Sequence, residues 1–140
     1  MILESSTALD DLLRRSRTIA IVGASPNPAR PSHDVFTRLR AMNRFDVTPI
    51  NPGIATIDGV TAFGSLSAYA AEQGAPDIVD VFRRASEAPT VAREAVAIGA
   101  KAIWFQYDVV NAEAIALADA AGLDVVVDRC LKIEAIRLGP

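Results

Sequence analysis

The sequence predicts an α/β fold in which helices cover both faces of an open, parallel, five-stranded sheet. Short β-branched, apolar runs alternate along the chain with longer alanine-rich segments of helical period, which is the pattern of repeated β-α-β units. The apolar runs are nearly continuous, as expected for strands that are buried on both faces. A chain of 140 residues with 51% hydrophobic residues is long enough for one packed core.

The order of these segments defines the predicted topology. The predicted strands are 18–22, 46–50, 78–82, 102–105 and 124–127. The predicted helices are 7–15, 32–42, 66–72, 87–98, 111–121 and 131–138. Gly99 and Gly122 follow two of these helices, where a left-handed conformation favours glycine. Right-handed crossovers then give a three-layer, Rossmann-like sheet of expected strand order 3-2-1-4-5. We expect a single domain over 1–140, with 1–17 as a leading helix and 18–138 as the core.

Composition excludes several classes of protein. The net charge of −3 and the lack of a basic and aromatic stripe argue against a nucleic-acid partner. No apolar stretch approaches the roughly 20 residues of a membrane span, and acids precede the first basic cluster, unlike a secretory signal. A single cysteine, Cys130, cannot form an internal disulfide, which fits a reducing compartment. We therefore expect a cytoplasmic protein that does not bind membranes.

The loop after the first strand is a candidate phosphate-binding loop. It begins with Gly23, Ala24, Ser25 and Pro26 and reaches the next helix through Arg30 and Ser32. Glycine permits a tight turn, and backbone N–H groups together with the positive end of the helix attract an anion. The same residue types also occur in β-to-α turns because of their backbone geometry alone, so a purely structural role of this loop stays open.

The loop departs from the dinucleotide fingerprint. Ser25 and Pro28 stand where its second and third glycines would fall, and the second strand ends in Asn51-Pro52, not in an acid for the ribose hydroxyls. Coenzyme A carries a phosphate on its ribose, which an acid there would repel, whereas Asn51 would not. Arg30, together with Arg83 or Arg84 after the third strand, would pair with phosphate, although surface solvation explains such arginines equally well.

We identify no catalytic group. His33 is the only histidine, and without a cysteine pair or spaced carboxylates we expect no metal site. Ser25 lacks the context of a hydrolase nucleophile. Cys130 precedes the last helix, where a thiol is either a buried filler or a redox group. Gln106 ends the fourth strand and can hydrogen-bond an amide or a phosphate.

Six runs in order resemble the small stand-alone CoA-binding domain proteins, a family similar to the N-terminal CoA-binding domain of the succinyl-CoA synthetase alpha subunit. The resemblance covers about 18–138. The runs are 19–28 (IAIVGASPNP), 30–32 (RPS), 49–52 (PINP), 80–83 (DVFR), 104–106 (WFQ) and 127–134 (VDRCLKIE).

The resemblance implies a Rossmann fold that holds the ADP part of coenzyme A at the first loop. By this analogy the phosphates would meet Gly23, Ala24, Ser25 and Arg30. The adenine and ribose side would be lined by Asn51, Pro52, Phe82 and Arg83, and Gln106 would face the pantetheine arm. The sequence departs from the family at Asp108, where glycine is usual; this carboxylate would cap the following helix, narrow the pocket or disfavour an acidic acyl group.

We therefore expect a protein that binds coenzyme A or an acyl-CoA as a non-catalytic carrier, sensor or regulatory module. The synthetase needs a further domain with a phosphorylated histidine and a partner subunit. These 140 residues do not include that domain, so we do not expect them to have ligase activity. The alternative is an enzyme, either an NAD(P)-dependent oxidoreductase or a protein that transforms acyl-CoA. Whether a protein partner or a homo-oligomer is involved stays open.

Overall fold

The computed structural model describes residues 1–139 and contains a five-stranded parallel sheet with three helices on each face. The strands are β1 (Thr18–Val22), β2 (Asp46–Ile50), β3 (Thr56–Ile57), β4 (Val60–Thr61), β5 (Ile78–Val81), β6 (Ala102–Phe105) and β7 (Asp124–Val127). The helices are α1 (Ser6–Arg15), α2 (Pro31–Ala41), α3 (Leu66–Gln73), α4 (Ala88–Ala97), α5 (Ala112–Ala120) and α6 (Leu131–Leu138). A single 3₁₀ turn, Ala85–Glu87, precedes α4.

The fold class and the predicted elements are confirmed. Each predicted strand and helix is present, with ends that shift by a residue or two. Gly99 and Gly122 have φ values of +75° and +89°, the left-handed conformation that was expected after helices α4 and α5.

The expected strand order 3-2-1-4-5 is wrong. The sheet runs β2-β1-β5-β6-β7, so the third core strand, β5, pairs with β1 and does not lie outside β2. The outer edge of β2 is already occupied, because Phe63 donates to the carbonyl of Pro49 at 3.1 Å and accepts from the N–H of Asn51 at 2.9 Å. Pro49 itself has no N–H to offer at that edge, which is typical of an edge strand.

A short hairpin that the sequence analysis did not predict leads to Phe63. Strands β3 and β4 pair antiparallel through Ile57 and Val60. The two residues between them, Asp58 and Gly59, have φ values of +49° and +79°. Two positive φ angles and an Asp-Gly sequence define a type I′ turn. At the opposite edge of the large sheet, Ile2 pairs with Val125 of β7.

The core consists of two layers, one on each face of the sheet. The helices α1, α2 and α6 cover one face, and α3, α4 and α5 cover the other. Helix α1 packs on its face through Leu9, Leu12 and Leu13, which are buried. Among the described helices, none is long and apolar enough to cross a membrane.

We predict that Asn111→Ala lowers the free energy of unfolding by about 1–2 kcal/mol. The Asn111 side chain accepts a hydrogen bond from the N–H of Ala114 at 3.0 Å and donates to the carbonyl of Ala85 at 3.0 Å, so it caps α5 and ties it to the 3₁₀ turn. Urea unfolding of the variant measures the loss. Asn111→Asp retains the cap acceptor and should recover part of it; equal losses in both variants would contradict the capping role.

Candidate functional site

A cleft of about 790 Å³ opens at the carboxyl ends of the strands, where the strand order reverses between β1 and β5. It lies between the amino ends of α2 and α6, and its floor comes from the residues that follow β1, β5 and β6. Nine of the eleven predicted ligand-binding residues line it: Gly23, Ala24, Ser25, Arg30, Ser32, Asn51, Phe82, Arg83 and Gln106.

The other two predicted residues lie elsewhere. Pro52 lines a neighbouring cleft of about 430 Å³, which shares Gly23, Asn51 and Arg83 with the first. Pro26 is exposed at the turn of the loop and lines neither cleft. The structure therefore brings the predicted set together at one edge of the sheet, with Pro52 behind the loop.

Gly23 directly follows β1, at a point where no side chain fits. Its φ is +85°, and a Cβ atom would lie 2.0 Å from the carbonyl oxygen of Phe82. The N–H of Phe82 donates to the carbonyl of Val22 at 2.8 Å, and the N–H of Gly23 donates to the carbonyl of Ile50 at 3.3 Å. The ends of three adjacent strands thus meet at this glycine, and the loop leaves the sheet from there.

The loop keeps few backbone donors for a ligand. Its three prolines, Pro26, Pro28 and Pro31, have no N–H, and several other N–H groups are used within the loop, including those of Asn27 and Ala29. Within residues 24–32, the N–H groups of Ala24, Ser25 and Ser32 have no acceptor in the described part of the chain.

Ser32 lies in the first turn of α2 and is 4% exposed. Its hydroxyl lies in the cleft wall and has no hydrogen-bond partner among residues 1–139. Among the described residues, the only fully buried side-chain N or O atom without a partner is Oδ2 of Asp80, so the Ser32 hydroxyl is reached from the cleft, where it is available to a polar ligand. Helix α2 begins with Pro31 after Arg30, so the first turn is fixed in helical geometry and its N–H groups point to the cleft.

Asn51 braces the loop from the end of β2. Its Nδ2 donates to the carbonyl of Ala24 at 2.8 Å, and its Oδ1 accepts from the N–H of Gly53 at 2.9 Å. A single side chain therefore holds the loop against β2 and leaves no acid at this position.

Four cations and two carboxylates line the cleft. Arg83 pairs with Glu87 at 3.5 Å, and Lys132 pairs with Asp34 at 2.6 Å, whereas Arg30 and Arg84 have no carboxylate partner among the described residues. The cleft is thus electropositive although the chain carries a net charge of −3, which favours an anionic ligand.

The pair Lys132–Asp34 joins the amino ends of α6 and α2 across the cleft. The hydrogen bond from Lys132 lowers the pKa of Asp34, although burial opposes this. The sequence analysis did not place either residue in the site. Lys132 belongs to the run 127–134 that carries the family resemblance, and this was the one signal that pointed to it.

Under the cleft, Gln106 donates from Nε2 to Oδ1 of Asp80 at 2.6 Å, and both residues are buried. Burial raises the pKa of Asp80 to about 8, and the hydrogen bond from Gln106 opposes this rise. From the sequence, Asp80 was only one residue of the run 80–83, and no role in the site was predicted for it.

The structure corrects one expectation for Asp108. It does not cap α5, because Asn111 does. Asp108 lines the cleft with φ +65°, and its N–H donates to Oδ1 of Asp128 at 2.8 Å. A left-handed φ explains why glycine suits this position.

The remaining candidates have structural partners or stay buried. The ring of His33 bonds Oδ2 of Asp58 in the β3–β4 turn at 2.8 Å and does not line the cleft. Cys130 lines the cleft at the start of α6 and is buried. In residues 1–139, His, Cys, Asp and Glu form no cluster of three that would hold a metal ion.

Comparison with known proteins agrees with this geometry. The model of the family described as a CoA binding domain matches residues 17–136. The chain belongs to this CoA-binding domain family.

Its relatives match this chain over nearly their whole length. The uncharacterized protein YneT of Bacillus subtilis (strain 168) is 36% identical over 129 residues, which cover 92% of this chain and 93% of YneT. A hypothetical protein of Pyrococcus horikoshii OT3 has a solved structure with TM-score 0.87 and 32% identity, covering 96% of this chain and 92% of that one. A Thermus thermophilus structure has TM-score 0.86 and 32% identity, covering 96% and 99%.

We predict that Gly23→Ala destabilises this CoA-binding domain by about 3 kcal/mol or more. The new methyl group would overlap the Phe82 carbonyl, and a left-handed φ costs a residue with a Cβ roughly 1–2 kcal/mol. Urea unfolding tests this. Gly59→Ala is the matched control, because its φ is +79° but no atom lies within 4 Å of the added Cβ; a loss no larger than in the control would contradict the close-approach argument.

Proposed function

We propose that this protein binds coenzyme A or an acyl-CoA, with the diphosphate at the β1–α2 loop. The observation that carries the proposal is that the Ser32 hydroxyl and the N–H groups of Ala24, Ser25 and Ser32, which have no partner among the described residues, belong to residues that line one cleft. Donors at the N-terminus of an 11-residue helix form a site for phosphate oxygens. The guanidinium group of Arg30, which has no carboxylate partner in the described chain, adds charge at the same place.

For the adenosine end we propose the side of the loop formed by Asn51, Pro52, Phe82 and Arg83. Pro52 lines the smaller cleft, and Arg83 lies between the two clefts. Glu87 and Glu94 also line the smaller cleft, so it suits the uncharged adenine ring better than a phosphate. The ribose phosphate then belongs on the side of Arg83 and Arg84, in the larger cleft.

The pantetheine arm would run from the loop toward α6 and pass Gln106. The amino end of α6 places Cys130, Lys132 and Ile133 along this path. The arm carries amide groups and ends in a thiol or thioester, so a cleft with a few polar groups among apolar ones suits it.

As the role, we propose binding without turnover, as a carrier, sensor or regulatory module. The serine and the histidine that we considered for acyl transfer are engaged otherwise. Ser25 accepts a hydrogen bond from the N–H of Asn27 at 3.1 Å, and the His33 ring is bonded to Asp58. Neither contacts the other, so they do not form the nucleophile and base pair that acyl transfer requires.

Titration calorimetry with CoA, acetyl-CoA, NAD and NADP tests the ligand. We expect CoA species to bind at micromolar concentrations and NAD to bind far more weakly, because β2 ends in an asparagine braced against the loop. Binding of NAD without binding of CoA would overturn the proposal. Mass spectrometry of ligand released from the purified protein checks the assignment independently, and incubation with acetyl-CoA under the same conditions shows whether the thioester is consumed.

We predict that Arg83→Ala weakens CoA binding by about 1.5–3 kcal/mol, because a charge-assisted hydrogen bond to phosphate is lost. Calorimetry measures the dissociation constant. Arg93→Ala is the matched control: Arg93 also pairs with a glutamate, Glu113, at 3.2 Å, but lies outside both clefts, so its affinity should be that of the unaltered protein. An unchanged dissociation constant for Arg83→Ala would remove Arg83 from the site.

A further inference from the structure

Asp80 is an ionisable residue in the middle of the buried sheet. It lies in β5 between Ile21 of β1 and Trp104 of β6 and has no exposed surface. Its Oδ1 accepts a hydrogen bond from Gln106, whereas its Oδ2 has no partner among the described residues. A buried carboxyl group with an unpaired oxygen destabilises a fold relative to an apolar residue of similar size. Packing alone therefore does not explain an acid here.

Gln106 connects this acid to the cleft. It is 3% exposed, and it forms part of the cleft wall. Its Nε2 is engaged by Asp80, and its Oε1 accepts no hydrogen bond from any described residue. Because the amide group is planar, anchoring Nε2 on the strand leaves Oε1 as the polar atom that Gln106 offers to a ligand.

We propose that Asp80 is a positioning residue: it fixes the Gln106 amide so that its carbonyl oxygen accepts a hydrogen bond from an amide N–H of the pantetheine arm. The inference rests on the proposed function and deepens it, since it makes one point of the cleft selective for a hydrogen-bond donor. Without Asp80, the amide would rotate and present either its oxygen or its nitrogen, and the ligand would have to select one orientation at a cost in affinity.

The surroundings of Asp80 leave its charge uncompensated. On the same face of the sheet, α1 packs through leucines, and α2 and α6 contribute Asp34 and Lys132, which pair with each other. Glu134 of α6 is bound to Arg137, as is Asp10 of α1. Arg83, after β5, pairs with Glu87. None of these groups shifts the pKa of Asp80, which burial raises to about 8.

Because Asp80 titrates near neutral pH, the affinity for CoA should depend on pH. A ligand that removes water from the cleft and brings phosphate charge nearby disfavours the ionised carboxylate further. The complex therefore prefers neutral Asp80 with its proton on the unpartnered Oδ2, which leaves Oδ1 as the acceptor for Gln106. CoA affinity should then be highest below pH 8 and fall as the pH rises through that value. A further rise of about one pKa unit on binding lowers the affinity by up to about tenfold, a limit reached only well above both pKa values.

The test uses calorimetry on the full chain with two probes: CoA, and adenosine 3′-phosphate 5′-diphosphate, which lacks the pantetheine arm. We expect Asp80→Leu to weaken CoA binding at least tenfold at pH 7 but the nucleotide probe less than threefold. Gln106→Leu should give the same arm-specific loss, and the double variant should lose no more than either single one.

Asp80→Asn keeps the size and an acceptor but removes the titration. Between pH 7 and pH 9 we expect CoA affinity to fall about fivefold in the unaltered protein, for a pKa that rises by about one unit on binding, and less than threefold in this variant. This comparison decides the question if Asp80→Leu does not fold, and it corrects for titration of CoA itself, which affects both proteins alike.

Three results would overturn the inference while leaving the proposed function intact. They are an unchanged CoA affinity in Asp80→Leu, an equal loss for both probes, which indicates a structural role only, and the same pH profile in Asp80→Asn as in the unaltered protein. If the unaltered protein binds neither probe, the proposed function itself fails.

Discussion

The contact between Gly23 and the carbonyl of Phe82 is the constraint on which the site depends. A missing Cβ allows the end of β1 to approach the end of β5 to a distance that no other residue permits. The strand order reverses at this same point, because the chain crosses from β2 on one side of β1 to β5 on the other. The crevice that the reversal creates is therefore lined on one side by a loop whose direction Gly23 determines.

Contacts with β2 and α2 hold the loop in place. Asn51 ties its beginning to β2, and Pro31 starts α2 immediately after its end. Prolines and internal hydrogen bonds remove most of its backbone donors, and the donors that stay free among the described residues belong to Ala24, Ser25 and Ser32, which line the cleft. A rigid loop with few remaining donors binds an anion in one geometry, which lowers the entropic cost of binding.

Sequence patterns predicted the elements well and the connections between them less well. Buried parallel strands and alanine-rich helices have local signals, so their bounds were recovered. The strand order depends on which edge of β2 is free, and the expected order failed there. Pro49 within β2 was a usable signal for an edge strand, and Asp58-Gly59 was a usable signal for the hairpin whose chain covers that edge.

The residues of the candidate site also differ in how well the sequence predicts them. Gly23, Ser32 and Asn51 stand directly after strands or at a helix start, where chain position alone indicates a ligand. The pairs Lys132–Asp34 and Gln106–Asp80 join residues 98 and 26 positions apart, and no local pattern predicts such partners. Asp80 in particular sits within an apolar run, where only the three-dimensional structure shows the amide that it holds.

Both outer edges of the five-stranded sheet are occupied by short segments of the chain itself, Phe63 along β2 and Ile2 along β7. An uncovered edge strand is a template on which a second molecule can add a strand, and this is a common start of aggregation. Here each template is blocked by a segment of only a few residues. Self-association through an extended intermolecular sheet would first require one of these segments to detach, so loosening either of them should promote aggregation before the domain unfolds.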